Sequence, residues 1–210
     1  MEEYLIPQGY GEAEFTEKRS RFIGRIWCVE SEQEAQDRIR EMKKQYPDAT
    51  HHCWAYILRD GTMRFSDDGE PGGTAGNPMM QVLQKEDIWD VLCVVTRYFG
   101  GILLGAGGLV RAYTKGAKIA VDAAGKAMKR VWTVLHLSCP YGLYEKIKKE
   151  SENSGAIIRK TDFAQNVDME ILVARPEAEA FSAKITDISA GTVTVQTVAE
   201  EYRAFPVESR

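Results

Sequence analysis

The sequence predicts an α+β protein built as two domains that meet near residue 130. Strand-like and helix-like apolar periodicities alternate along all 210 residues, and no apolar run approaches the ~20 residues of a membrane helix. Eleven of the 18 glycines fall between Gly61 and Gly116, and glycine thins out from about Val131, a shift in composition that marks a boundary. The segments beyond Val131 then fall in the order β-α-β-β-α-β, the ferredoxin-like pattern. A chain of this length makes one large or two small domains, each able to bury a core.

The elements follow in order. Gly11 to Glu30 reads as two strands turning at Lys18-Arg19-Ser20-Arg21, the second given its apolar content by Phe22, Ile23, Ile26, Trp27 and Val29. Ser31 and Glu34 have the spacing of a capping box, and Ala35, Ile39, Met42 and Tyr46 then mark one face of a helix that stops before Pro47. Cys53 to Leu58 and Thr62 to Phe65 flank Asp60-Gly61, a hairpin signal. Asn77 to Glu86 reads as a short helix. Val91 to Thr96 is a continuous β-rich run, typical of a strand buried on both faces. Beyond Gly108 a helix extends to about Ala124, with Leu109, Tyr113, Ala117, Ala120 and Ala124 on one face, Arg111, Lys115 and Lys118 on the other, and Gly125 at the C-cap. In the second domain Val131–Ser138 reads as a strand and Tyr141–Asn153 as a helix. Ala156–Phe163 and Asp168–Ala174 read as a hairpin, Pro176–Ile188 as a helix and Thr192–Ala199 as a strand.

Composition bounds the function. Hydrophobic content of 44% and charged content of 28% are ordinary for a soluble globular protein. The opening Met-Glu-Glu-Tyr-Leu-Ile-Pro has no basic region followed by an apolar core, so a cytoplasmic protein with no membrane partner is expected. Cys28, Cys53, Cys93 and Cys139 are scattered without ligand spacing, which favours reduced, mostly buried thiols over disulfides or a metal site. No cofactor is called for. The net charge of −4 is spread over both halves, with 18 basic against 19 acidic residues up to residue 130 and 9 against 12 after it. Affinity for phosphate must therefore come from a local patch.

Two glycine-rich stretches are the candidates. In the second, Gly105-Ala-Gly-Gly108 opens a helix, where unpaired N–H groups and the helix dipole attract anions. Arg111 and Lys115 sit in the first turns, and Arg97, Tyr98, Gly100 and Gly101 lie just upstream. Arg97, Tyr98, Gly100, Gly101, Gly105, Gly107, Gly108, Arg111 and Lys115 are thus the candidate phosphate or nucleic-acid contacts. The plainer alternative makes the glycines packing residues, with Tyr98 and Phe99 closing the core and Arg97 paired to Asp67 or Asp68. A second, conditional cluster is His51, His52, Asp67, Asp68 and Glu70, with Cys53 beside it. Its groups suit acid–base or metal chemistry, or equally packing and capping of backbone N–H groups. Adjacent histidines on a strand face opposite ways, so only one of the pair shares the side of Cys53.

Three stretches carry a resemblance: Ala49-Thr-His-His-Cys-Trp-Ala-Tyr56, Asp67-Asp-Gly-Glu-Pro-Gly-Gly-Thr-Ala-Gly76 and the run from Val95 to Tyr113. On these the chain is identified as a member of the IMPACT family, in its bacterial YigZ/YvyE branch. The resemblance implies two α/β-sandwich domains, residues 1–130 and 131–210. The first is similar to elongation factor G domain IV and a ribosomal-protein fold, the second to the ferredoxin-like domain V. Eukaryotic family members are translational regulators, and the resemblance implies contact with RNA or the ribosome here.

Three readings of function follow. The first is a non-catalytic RNA- or ribosome-binding regulator of translation. The second is an enzyme on a phosphorylated small molecule or nucleotide, with Asp67, Asp68 and Glu70 holding Mg²⁺ and His51 or His52 moving a proton. The third is a module that docks a protein partner. No catalytic residue is singled out.

Overall fold

The structure, a computed structural model, describes residues 3–207; Met1 and Glu2 of the opening stretch lie outside the described residues. The elements run β1 (Glu3–Pro7), β2 (Gly11–Glu17), β3 (Ser20–Cys28), α1 (Glu32–Gln45), β4 (His51–Ile57), β5 (Met63–Ser66), α2 (Gly76–Lys85), β6 (Val91–Tyr98) and α3 (Ala106–Ala124). There follow β7 (Lys126–Cys139), α4 (Tyr141–Asn153), β8 (Ile157–Phe163), β9 (Val167–Ala174), α5 (Ala178–Ile188) and β10 (Val195–Pro206). The described residues divide into two compact units, one holding Glu3–Lys129 and Ala204–Val207, the other Arg130–Arg203.

In the first unit, five antiparallel strands lie in the order β2-β3-β6-β4-β5. The continuous apolar run of β6 sits at the centre, and its alternate residues serve two cores. Val91, Cys93 and Val95 pack with α2 and α3, while Leu92 and Val94 pack with Ala35, Ile39 and Met42 of α1. Both faces are covered, which is why the run lacks polar alternation. At roughly 1.5–3 kcal/mol for each large side chain taken from water, this central strand anchors the unit. Ser31 caps α1 by accepting from Glu34 N (3.2 Å), and the Glu34 carboxylate accepts from Glu30 N (3.0 Å).

Helix α3 lies unusually close to the sheet. A Cβ on Gly24 would overlap the carbonyl oxygen of Gly116, and a Cβ on Gly116 would lie 3.1 Å from Val95. Backbone meets backbone there, which only glycine permits.

Some local expectations change. Strand β1 has too short a pattern to be read from sequence; it is held by Trp89 N donating to Leu5 O (2.8 Å). The hairpin at Asp60-Gly61 is a five-residue loop, closed by Leu58 N to Thr62 O (2.9 Å) and by Thr62 N to the Asp60 carboxylate (2.8 Å). Helix α3 starts at Ala106, so Gly107 and Gly108 lie in its first turn.

The second unit has the β-α-β-β-α-β order, with strands arranged β10-β7-β9-β8. Leu135, Leu137, Val167, Met169 and Ile171 of the sheet bury against Ile147, Phe181 and Ile185 of the two helices. The two-domain α+β reading agrees with this architecture. From Ala204, β10 returns to the first unit, where Val207 N donates to Lys126 O (3.0 Å).

Candidate functional site

Strand alternation decides which side chains meet. Val91, Cys93 and Val95 face α2 and α3, so Arg97 does too, while Thr96 and Tyr98 point to the α1 side. On β4, His51 and Cys53 share the face of Arg97, and His52 faces the other way. The loop from Asp67 to Ala75 straps across this end of the sheet. Both Asp67 oxygens accept backbone N–H groups, from Gly73 (2.8 Å), Ala75 (2.9 Å) and Gly76 (2.8 Å), closing the strap and capping the entry to α2. Asp68 accepts from His52 N (2.7 Å) and pairs with Lys43 (2.5 Å).

The strap delivers Glu70 into the interior. Its Oε1 accepts from Arg97 Nη1 (2.7 Å) and from the Tyr113 hydroxyl (2.7 Å). Arg97 and Glu70 are only 5% and 8% exposed, so this is a buried ion pair. Arg97 Nη2 also donates to Ser20 Oγ (3.3 Å), and its guanidinium carbon lies 5.4 Å from the rings of both Phe22 and Phe99. Its Nε–H is buried with no partner. Arg97 is therefore not a free cation for phosphate, and its partner is Glu70 rather than Asp67 or Asp68. Tyr98 also leaves the candidate set: it faces away, and its hydroxyl reaches Asp48 (3.4 Å). Gly100 is a packing residue, its N–H donating to Ser20 Oγ (3.2 Å) and its α-carbon pressed on the Arg19 backbone.

The metal reading fails on these contacts. The three carboxylates point to three different sets of partners, and the described residues hold no cluster of His, Cys, Asp or Glu able to bind a metal. Cys53 is not placed to act as a nucleophile either. Its thiol donates to Asp67 O (3.0 Å), and burial pushes its pKa far up, against the lowering a reactive thiol needs. Burial likewise raises the Tyr113 hydroxyl, which stays protonated as a donor to Glu70. His52 is buried between Thr96 Oγ1 (3.1 Å) and Tyr46 O (3.0 Å) on the far face, and burial lowers its pKa. His51 remains at the site, with Nδ1 against Asp68 O (2.8 Å) and Nε2 3.8 Å from Glu70 Oε2.

What stays open is the start of α3. Gly105 is the N-cap with φ 73°, a left-handed conformation natural to glycine, and no side chain caps the helix. Gly101 is also exposed with open space about it. Gly105, Ala106 and Gly107 are exposed, and the first intrahelical bond is Leu109 N to Gly105 O (2.9 Å). Arg111 folds back so that its Nη1 lies 3.6 Å from where a Cβ on Gly107 would be. Lys115 lies over the Phe15 ring at 4.3 Å. Arg111, Lys115 and Lys18 line one pocket of about 210 Å³, with Glu17 as its one carboxylate. On the other side of Leu104 a cleft of about 370 Å³ is floored by His51, Glu70 and Arg97 and walled by Phe99, Leu103 and Leu109.

Sequence reasoning missed Ser20, Lys18, Leu103 and the Tyr113 hydroxyl. Tyr113 carries the apolar signature of a core face, and nothing local shows that its oxygen ends on a carboxylate 43 residues away. Lys18 shows only as a turn residue.

Comparison with known proteins shows the family. Residues 18–121 match the Impact N-terminal domain, and residues 137–192 match a domain of unknown function, DUF1949. The IMPACT family member YvyE of Bacillus subtilis (strain 168) is 40% identical over 193 residues, covering 91% of this chain and 89% of that protein. The chain belongs to the IMPACT family. Another similar member, YigZ of Escherichia coli (strain K12), is 33% identical over 204 residues, 95% of this chain and all (100%) of that one. A solved structure described as an hypothetical protein superposes with TM-score 0.61 at 32% identity, covering 95% of this IMPACT family member and 98% of that chain. No helix among the described residues is long and apolar enough to cross a membrane.

Proposed function

We propose that this IMPACT family member is a non-catalytic RNA-binding protein acting in translation, which holds RNA or ribosomal phosphates at the start of α3. The observation that carries the reading is the exposed, uncapped first turn of α3 with Arg111 folded back over it. Free N–H groups and the positive end of a nineteen-residue helix attract phosphate, and Lys18 and Lys115 add charge in the adjoining pocket. The likeness to elongation factor G domains IV and V and the translational role that the family resemblance implies favour the same reading. Glu17 opposes it by one charge, so binding is local and salt-sensitive.

A salt titration of binding to single-stranded RNA tests it. Contacts by Lys18, Arg111 and Lys115 to three phosphates give a log–log slope of about −2, at ~0.7 per phosphate. Arg111→Gln with Lys115→Gln removes two of the three contacts and makes the slope shallower by about 1.4. A flat slope, or no binding at low salt, overturns the proposal.

A second reading has its own observation. Leu103 is 81% exposed, with Phe99, Ile102 and Val110 also exposed around the start of α3, a surface suited to a protein partner. Capture from lysate that survives RNase treatment and is lost in Leu103→Ser favours that reading.

A further inference from the structure

Resting on the RNA reading above, we propose that the cleft beside α3 receives one unstacked nucleobase and reads its exocyclic amine, so that the protein prefers cytidine to uridine in single strands. Two acceptors on the cleft floor lack a donor that faces them. Glu70 Oε1 is engaged by Arg97 and Tyr113, whereas among the described residues Oε2 has no donor within hydrogen-bond reach; His51 Nε2 stands 3.8 Å from it. A carbonyl only accepts, so the 2.8 Å contact to Asp68 O puts the hydrogen of His51 on Nδ1. In the neutral imidazole Nε2 then presents a lone pair. Two acceptors thus stand 3.8 Å apart in a low-polarity cleft with no donor between them. Both atoms open to the cleft, so a ligand that displaces their water must bring donors of its own. A single –NH₂ group placed about 2.9 Å from each satisfies both, one hydrogen to each acceptor.

The rest of the cleft says what carries that amine. An ammonium ion would face Arg97 and the positive end of α3, whose Gly105 and Ala106 form part of the wall. A neutral aromatic amine attached to an anion meets neither objection. Phe99 is half exposed at the rim with the Arg97 guanidinium beside its ring, a surface on which a flat base stacks. The first-turn amides of α3 are at hand for the phosphate of the same nucleotide. The cleft volume of about 370 Å³ lies in the ~300–1,000 Å³ range of small-molecule sites. Cytosine offers the amine, whereas uracil puts a carbonyl oxygen in its place, against two acceptors.

The test measures fluorescence polarisation of the full-length protein with labelled single strands of equal length: oligo(C), oligo(U) and an abasic ribose-phosphate chain. Oligo(C) is expected to bind about tenfold tighter than oligo(U), the size of one well-made base-edge contact. His51→Leu abolishes the C-over-U preference. Phe99→Ala, a change at an exposed position, weakens both base-bearing strands and leaves the abasic chain unchanged. Equal binding of all three with the same salt slope overturns the base-reading cleft and leaves the phosphate site standing. Failure of every strand to bind removes both. Strong competition by a short peptide through its free α-amine, with no C-over-U preference, overturns the proposal in favour of a protein ligand.

Discussion

Glu70→Ala is the perturbation with the largest calculable effect. Both members of the Glu70–Arg97 pair are nearly inaccessible, so solvent does not screen the interaction. The substitution removes acceptors from Arg97 Nη1 and the Tyr113 hydroxyl and leaves a guanidinium buried without a counter-charge. Breaking one side of a buried pair costs about 3–5 kcal/mol, a large share of the ~5–15 kcal/mol that stabilises a domain. Glu70→Gln also leaves the guanidinium without a counter-charge but keeps an acceptor for both donors, so it is less destabilising than Glu70→Ala by about 1–2 kcal/mol. The double variant Glu70→Leu with Arg97→Met removes both charges and recovers the loss except for the Tyr113 hydroxyl left without its acceptor, about 1–3 kcal/mol. Urea unfolding is followed by tryptophan fluorescence in a Trp132→Phe background, since Trp27, Trp54 and Trp89 all belong to the first unit. A loss below about 1 kcal/mol for Glu70→Ala, or no recovery in the double variant, would refute the buried-pair account.

Three further outcomes are expected. Gly24→Ala forces a methyl into the Gly116 carbonyl and lowers stability by about 3 kcal/mol, while Gly142→Ala, with open space around it, changes it by less than about 1 kcal/mol; thermal unfolding compares the two. His52 has its folded pKa lowered by burial below the usual ~6.5, so the unfolded chain binds the proton first. Stability from this group is intact above about pH 6.5 and falls on acidification towards the folded pKa; His52→Gln should flatten the melting temperature between pH 7.5 and 5.5, and an unchanged profile would count against it. Burial raises all four thiols, Cys28 to about 11 and Cys93 to about 12. A disulfide reagent at pH 8 should therefore react slowly with the native protein and with four thiols in denaturant, and fast reaction of one native thiol would contradict this.

The sequence by itself determined the fold class and every main element but β1, because these follow from local signals. The Ser31 cap, the apolar run of β6, the 3.6-residue stripe of α3 and the β-α-β-β-α-β order all appear where their patterns place them. It also determined that His51 and His52 part company, since strand alternation is a covalent consequence of the pleat. The motif residues His51, Glu70, Arg97 and Gly105 gather around one cleft of the first unit. Only the tertiary structure decided what each one does there. Arg97 looked like a cation for phosphate until the strap brought Glu70 against it, and Asp67 looked like a ligand until its oxygens met the N–H groups of Gly73, Ala75 and Gly76. Hydrogen bonds and ion pairs act over about 3 Å, and contacts of that range between residues 27 and 43 positions apart are fixed by strand order and helix packing. Charge is written in the sequence, but whether a charge is free or neutralised is settled by its neighbours in space.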